Sequence, residues 1–229
     1  MSRNEQIERA VKAAEKGIRE QFTNEPERFF TESDLVAAFY NSLIHNMVGI
    51  KDINPAGVVH QQYPTLFKCD MKGGRFIAKD DNSAFKRGHY DLVILNPDFV
   101  SSACRLFPDD PIARFNYLTA RFWMVKKHRD QYIQTPPILY AFEFMYQKDP
   151  INERQTGGIK NLLKLAQQDF LKLKHSQSEA NGRFIKNAQM LVFIKDTPET
   201  ICNRISDELK SISKGEIACI AGSTRKEVA

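Results

Sequence analysis

The sequence predicts a single α/β domain over residues 1–229, with a mixed central β-sheet flanked by helices. Three observations carry that expectation. Two N-terminal segments repeat apolar residues at helical spacing, and the period then shortens to that of strands. Three later runs, Tyr90–Leu95, Ile138–Phe144 and Gln189–Ile194, are apolar almost throughout, as strands covered on both faces are. Amphipathic stretches separate the last of these runs, the alternation expected of an α/β fold.

Residues 3–20 read as the first helix, with Ile7, Val11, Ala14 and Ile18 on one stripe. Pro26 breaks it. Thr31-Glu32-Ser33-Asp34 opens a second helix, because a hydroxyl and a carboxylate three residues apart satisfy each other's free N–H groups. Val36, Phe39, Leu43 and Met47 form its stripe, and Gly49 can end it; these two helices make an N-terminal layer over 3–47. Val58–Tyr63 reads as a strand stopped by Pro64, and Gly73-Gly74 as a turn before a short strand ending at Ala78. Residues 80–88 read as a loop. Tyr90–Leu95 is a strand stopped by Asn96-Pro97. A helical insertion between core strands follows over about 97–137, irregular to residue 110 and helical over 111–132, closed by Pro136-Pro137. After the strand Ile138–Phe144 comes a helix over Ile159–His175, with Leu162, Leu163, Ala166, Phe170 and Leu173 inward. Gln189–Ile194 is the next strand. Thr197-Pro198 starts a helix burying Ile201, Ile205, Leu209 and Ile212, Glu216–Ala221 is the last strand, and 222–229 form a tail.

Composition narrows the function classes. With 42% hydrophobic and 27% charged residues the chain is an ordinary globular protein, large enough to need no metal or disulfide as a staple. The 33 Lys and Arg against 28 Asp and Glu give a formal charge of +5, which permits a nucleic-acid partner without demanding one. No run approaches the ~18 apolar residues of a membrane span, so no membrane partner is expected. The first residues hold no apolar segment of a secretory signal. Cys69, Cys104, Cys202 and Cys219 are scattered without a C-x-x-C pair and read as reduced thiols, so the expected location is cytoplasmic. Phosphate-binding glycine loops, nucleophile elbows and H-E-x-x-H are absent from the sequence.

The chemistry-bearing feature is one acid inside each of two apolar strands. Asp91 follows Gly88-His89-Tyr90 and opens Leu92-Val93-Ile94; Glu143 interrupts Tyr140-Ala141-Phe142-Glu143-Phe144. A buried carboxylate is costly unless a cation, a hydrogen-bond network or catalysis compensates it. Either acid alone is explained by a lysine partner or a helix cap. The pair, in a strand-strand-helix context, points to carboxylates converging on one Mg²⁺. His89 shares the strand face of Asp91; it and His60 read as polar strand residues.

At these residues the chain resembles the PD-(D/E)xK nuclease superfamily, with its restriction-endonuclease-like core. Gly88–Ile94 looks like the family's Asp-bearing strand and Ala141–Met145 like its (D/E)-x-K strand; the resemblance covers roughly residues 31–195. It implies a Mg²⁺- (or Mn²⁺-) dependent nuclease acting on phosphodiester bonds, DNA foremost. Asp91 and Glu143 would be catalytic and metal-binding, with the Phe144 carbonyl and Glu32 as further ligands. Two departures stand out. Met145 occupies the lysine position, and family members can supply that lysine from the next helix, which makes Lys160 the catalytic candidate and Lys164 its neighbour on one polar stripe. Gln61 and Gln62 lie where many relatives carry a Glu. These departures leave open a catalytically inactive nuclease-fold module that binds nucleic acid or a protein partner, and, further away, an unrelated α/β protein whose two acids never meet.

The insertion interleaves Arg114, Phe115, Tyr117, Arg121, Phe122 and Trp123, then Lys126-Lys127-His128-Arg129. Cations among aromatics suit a nucleic-acid groove, with Lys126, Lys127, Arg129 and Lys164 on the phosphates. The competing reading packs Phe115, Leu118, Phe122 and Val125 as a buried stripe beside a solvated basic run. A homodimer is compatible with all of this.

Overall fold

The computed structural model describes residues 1–70, 77–79, 87–119, 136–152, 156–213 and 216–223. In chain order it contains α1 (Arg3–Asn24), a 3₁₀ turn (Pro26–Arg28), α2 (Glu32–Met47), α3 (Pro55–Val58), β1 (Val59–Asp70), β2 (Ile77–Lys79) and β3 (Arg87–Leu95). Then come α4 (Pro97–Leu106), α5 (Pro111–Leu118), β4 (Ile138–Gln147), α6 (Thr156–Gly182), β5 (Ile185–Lys195), α7 (Glu199–Ser213) and β6 (Ile217–Gly222). The described strands form one sheet in the order β2-β1-β3-β4-β5-β6. It is mixed: β1 runs antiparallel to β2 and β3, β3 antiparallel to β4, and β5 parallel to β6. The α/β class read from the sequence is therefore the class of the structure.

The helix starts follow from their caps. Thr31 Oγ1 accepts the Asp34 N–H at 3.3 Å, and Asp34 Oδ2 accepts from the N–H groups of Phe30 (2.9 Å) and Thr31 (2.8 Å). Those bonds, Phe30 first, hold the Asp34 carboxyl below its ordinary value. Gly49, at φ 87°, takes the left-handed turn that ends α2. Three expectations are corrected. Asn96-Pro97 is a start as well as a stop: the Asn96 side chain accepts the Asp98 N–H at 3.0 Å and Pro97 is the first residue of α4, so 97–106 is helix rather than irregular. Pro64 does not end β1, which runs on to Asp70. Ile212 is exposed, and Ser213 takes the buried end of α7.

The chain divides into two compact units, Met1–Pro55 with Glu143–Phe170 and Gln189–Ala229, and Ala56–Phe142 with Leu171–Ala188. In the first, α1 packs on α2 and on β6, and α7 on β6. Its centre is aromatic. Phe22 meets Phe193 at 5.0 Å and Phe29 at 5.7 Å, while Phe144 stacks on Phe193 at 6.1 Å and meets Phe39 edge-on at 5.4 Å. Deleting one such buried ring costs about 3–5 kcal/mol. In the second unit β1, β2, β3 and the first half of β4 are antiparallel neighbours in the order β2-β1-β3-β4, so that β3 lies beside β1 and not beside β2. Tyr117 of α5 stacks on Phe99 of α4 at 5.0 Å, and the Tyr63 hydroxyl donates to the Leu118 carbonyl. No helix among the described residues is long and apolar enough to cross a membrane.

One close approach demands a glycine. A Cβ on Gly222 would stand 2.3 Å from the Phe22 carbonyl oxygen, where the end of β6 meets the end of α1. Gly222→Ala is expected to lower stability by about 1–3 kcal/mol through this backbone clash. Thermal unfolding measures it, and an unchanged midpoint would contradict the packing.

Candidate functional site

β3 is paired along both edges, Gln61↔Leu92 and Tyr63↔Tyr90 with β1, and Leu92↔Phe142 and Val93↔Ala141 with β4. Its inner residues Leu92, Val93 and Ile94 are wholly buried, whereas Asp91 is half-buried and His89 exposed. The acid therefore sits where the strand emerges from the core.

Gln62, which lies between the paired residues Gln61 and Tyr63, has a φ of 51°. Of the three non-glycine residues with positive φ among the described residues, the others are Asp52 and Asp196, a residue type that tolerates this region, and neither lies in a strand. A glutamine held there costs about 1–3 kcal/mol. The pairing has the same register on both sides of Gln62, so no extra residue has been inserted to explain it. Its side-chain Nε2 donates to Asp91 Oδ1 at 3.4 Å, a long hydrogen bond.

The next residues depart from the regular ladder too. Pro64 stands opposite His89 and has no N–H to give. Side chains serve the β3 carbonyls here: Thr65 Oγ1 donates to Gly88 O at 3.2 Å, and Lys172 Nζ to His89 O at 2.9 Å. Lys172, on α6, is only 8% exposed. It belongs to a row at four-residue spacing with Gln168 (5% exposed) and Ser176, whose hydroxyl donates back to the Lys172 carbonyl at 2.7 Å.

Lys160 and Lys164 stand on the same row, one end earlier, and both are exposed. The reason is geometric. Four residues overshoot one turn by about 40°, so a four-step row drifts around the helix from solvent into the core. Among the described residues the buried lysine is Lys172, which sequence reasoning passed over.

Glu143 is 2% exposed. Its neighbour Phe144 turns its ring onto Phe39 and Phe193, so strand alternation sends the Glu143 side chain to the other face of β4, together with Met145, which is 8% exposed. The Phe144 side chain is thus core. Glu32 is exposed on the first turn of α2, the helix whose Phe39 packs on the Phe144 side. Among the described residues, three or more His, Cys, Asp or Glu side chains nowhere gather as a metal cage.

In the insertion, Arg114 donates to the carbonyls of Phe107 and Pro108, Tyr117 is buried, and Phe115, expected inward on the competing reading, is 55% exposed. Lys126, Lys127 and Arg129 lie outside the described residues, as do Phe122, Trp123 and Val125. His60 is half-buried with its Nε2 at 3.2 Å from the Gly57 carbonyl, and burial pushes its pKa down. Burial raises the Cys202 thiol and pushes Cys219 up to about 12, so neither is an activated nucleophile. Comparison with protein-family models, curated proteins and solved structures finds no match.

Two outcomes follow. Lys172→Ala should cost about 1–3 kcal/mol, because it strips the donor from a strand carbonyl, whereas Lys160→Ala and Lys164→Ala should stay within about 0.5 kcal/mol; denaturant unfolding separates them, and equal values for all three would refute the assignment of the buried lysine. Because the folded pKa of His60 lies below the ordinary 6.5, its contribution is present above that pH and is lost as pH falls through it. His60→Gln should therefore flatten the decline of melting temperature between about pH 7 and pH 5; an unaltered slope would contradict the burial of a neutral ring.

Proposed function

We propose that the chain is a divalent-metal-dependent nuclease with a restriction-endonuclease-like core, in which Asp91 and Glu143 share one Mg²⁺ or Mn²⁺. The observation that carries this reading is strand register. Val93 stands opposite Ala141, and residues opposite one another in an antiparallel pair share a face. Asp91 lies two residues from Val93 along β3, and Glu143 two residues from Ala141 along β4. Alternation then aims both carboxylates to one side of the sheet. Each acid is also the next residue along its strand from the paired Leu92 and Phe142. The order α2, β1, β2, β3, β4, α6, β5 supports the same architecture.

The donor set fits the ion. Two carboxylates and a backbone carbonyl are hard oxygen ligands of the kind Mg²⁺ and Mn²⁺ take, and a carboxylate as buried as Glu143 is the kind a cation compensates. When bound, such an ion polarises a phosphate oxygen and acidifies a water. The protein's own part is to hold the two acids on rigid strands and to bring a positive charge nearby. Lys172 takes that role in place of Lys160: its ammonium is tethered to the carbonyl of His89, two residues from Asp91, and it opposes the charge that develops on the phosphate. Lys160 and Lys164, on the exposed end of the same row, suit sequence-independent contact with a DNA backbone.

A second reading has its own observation. Met145 fills the expected lysine position with a buried apolar side chain, as a binding module that had lost catalysis would. Plasmid cleavage and calorimetry decide. Asp91→Asn and Glu143→Gln should each abolish Mg²⁺-dependent cutting and Mn²⁺ uptake while leaving thermal unfolding cooperative. Wild-type cutting by both variants would refute the nuclease reading, and DNA binding without metal uptake by the unmodified chain would favour the binding module.

A further inference from the structure

We infer that Gln62 is the positioning residue of Asp91: its side-chain amide fixes the carboxylate through Nε2–H···Oδ1, and a strained backbone at Gln62 is retained for that purpose. The inference rests on the metal-site reading above and extends it to a residue with no charge of its own.

Four observations converge. Gln62 holds a φ of 51° in the middle of a strand, where glutamine is not at ease. The pairing on either side, Gln61↔Leu92 and Tyr63↔Tyr90, keeps one register, so the strain does not accommodate an inserted residue. The hydrogen bond from Gln62 runs to Asp91 Oδ1 at 3.4 Å. Gln62 itself is exposed, so burial does not require that conformation. Strain that packing does not demand, located beside a candidate ligand, marks a functional constraint. The chemistry is that of an outer-shell donor. An amide N–H on Oδ1 sets the plane of the carboxylate, and with it the direction from which the group would meet a cation. A carboxylate at position 62 would add charge but no donor, so the amide is the group this geometry calls for.

The test uses the full chain and Mn²⁺ alone. Gln62→Met keeps side-chain length and backbone while removing the donor. Gln62→Gly removes the donor and also relieves the positive φ. Calorimetry should show Mn²⁺ binding weakened about tenfold or more in both variants. The melting temperature without metal should be unchanged in Gln62→Met and raised in Gln62→Gly. A merely structural role moves melting temperature and not affinity. Wild-type Mn²⁺ affinity in both variants overturns this inference while the metal site stands. Absence of Mn²⁺ uptake by the unmodified chain overturns the site itself, and the inference with it. Should Gln62→Met fail to fold, Gln62→Gly alone decides, because glycine is at ease at that φ.

Discussion

Register between β1, β3 and β4 is what the rest of the structure depends on, because strand side chains alternate with a period of two and a slip of one residue would exchange every face. Leu92 is paired on both edges, with Gln61 and with Phe142. The buried run Leu92-Val93-Ile94 resists slippage, since a shift would carry core side chains toward the polar end of the strand. That same lock decides where Asp91 points. On β4 the lock is aromatic: Phe144 is held between Phe39 and Phe193, and Glu143, one residue earlier, is committed to the opposite face. The placement of the two acids is thus a by-product of apolar packing. This is an economical way to hold charged groups rigidly, since the rigidity comes from their neighbours.

Departures from regular sheet structure concentrate in one short stretch. Gln62 adopts a left-handed φ, Pro64 cannot donate to the ladder, and Thr65 and Lys172 serve the carbonyls of Gly88 and His89. The register of β1 against β3 shifts just beyond, between Pro64 and Lys68, and β3 carries a separate shift against β4 between Ile94 and Leu95. A break in the ladder exposes backbone acceptors, and a buried lysine that fills one is both satisfied and fixed in place. The structural cause of the burial of Lys172 and its proposed chemical use are therefore the same contact. Held in this way, the ammonium needs no search among rotamers to present its charge.

Much of the scaffold was legible in the sequence because its signals are local. Thr31 with Asp34 marked a helix start, and the apolar runs around Asp91 and Glu143 marked strands. Both acids were visible as polar interruptions of apolar runs. The features that escaped depend on tertiary structure. The four-step row on α6 reads alike at Lys164 and Lys172, and only packing shows that one is exposed and the other buried. Pro64 looked like a stop because strand propensity counts the missing N–H and not the side-chain donors that replace its ladder bond. Asn96-Pro97 carries two meanings at once, strand end and helix cap, and the second shows only in the hydrogen bond from the Asp98 N–H to the Asn96 side chain. Nothing in the letters around Gln62 announces a positive φ, since glutamine rarely adopts it.

The most direct test is a crystal soaked in Mn²⁺ and read by its anomalous signal. The account predicts one strong peak within ~2.1–2.4 Å of a carboxylate oxygen of Asp91 and of Glu143 together. Carboxylates on opposite faces of the sheet, or a peak that touches neither, would contradict it.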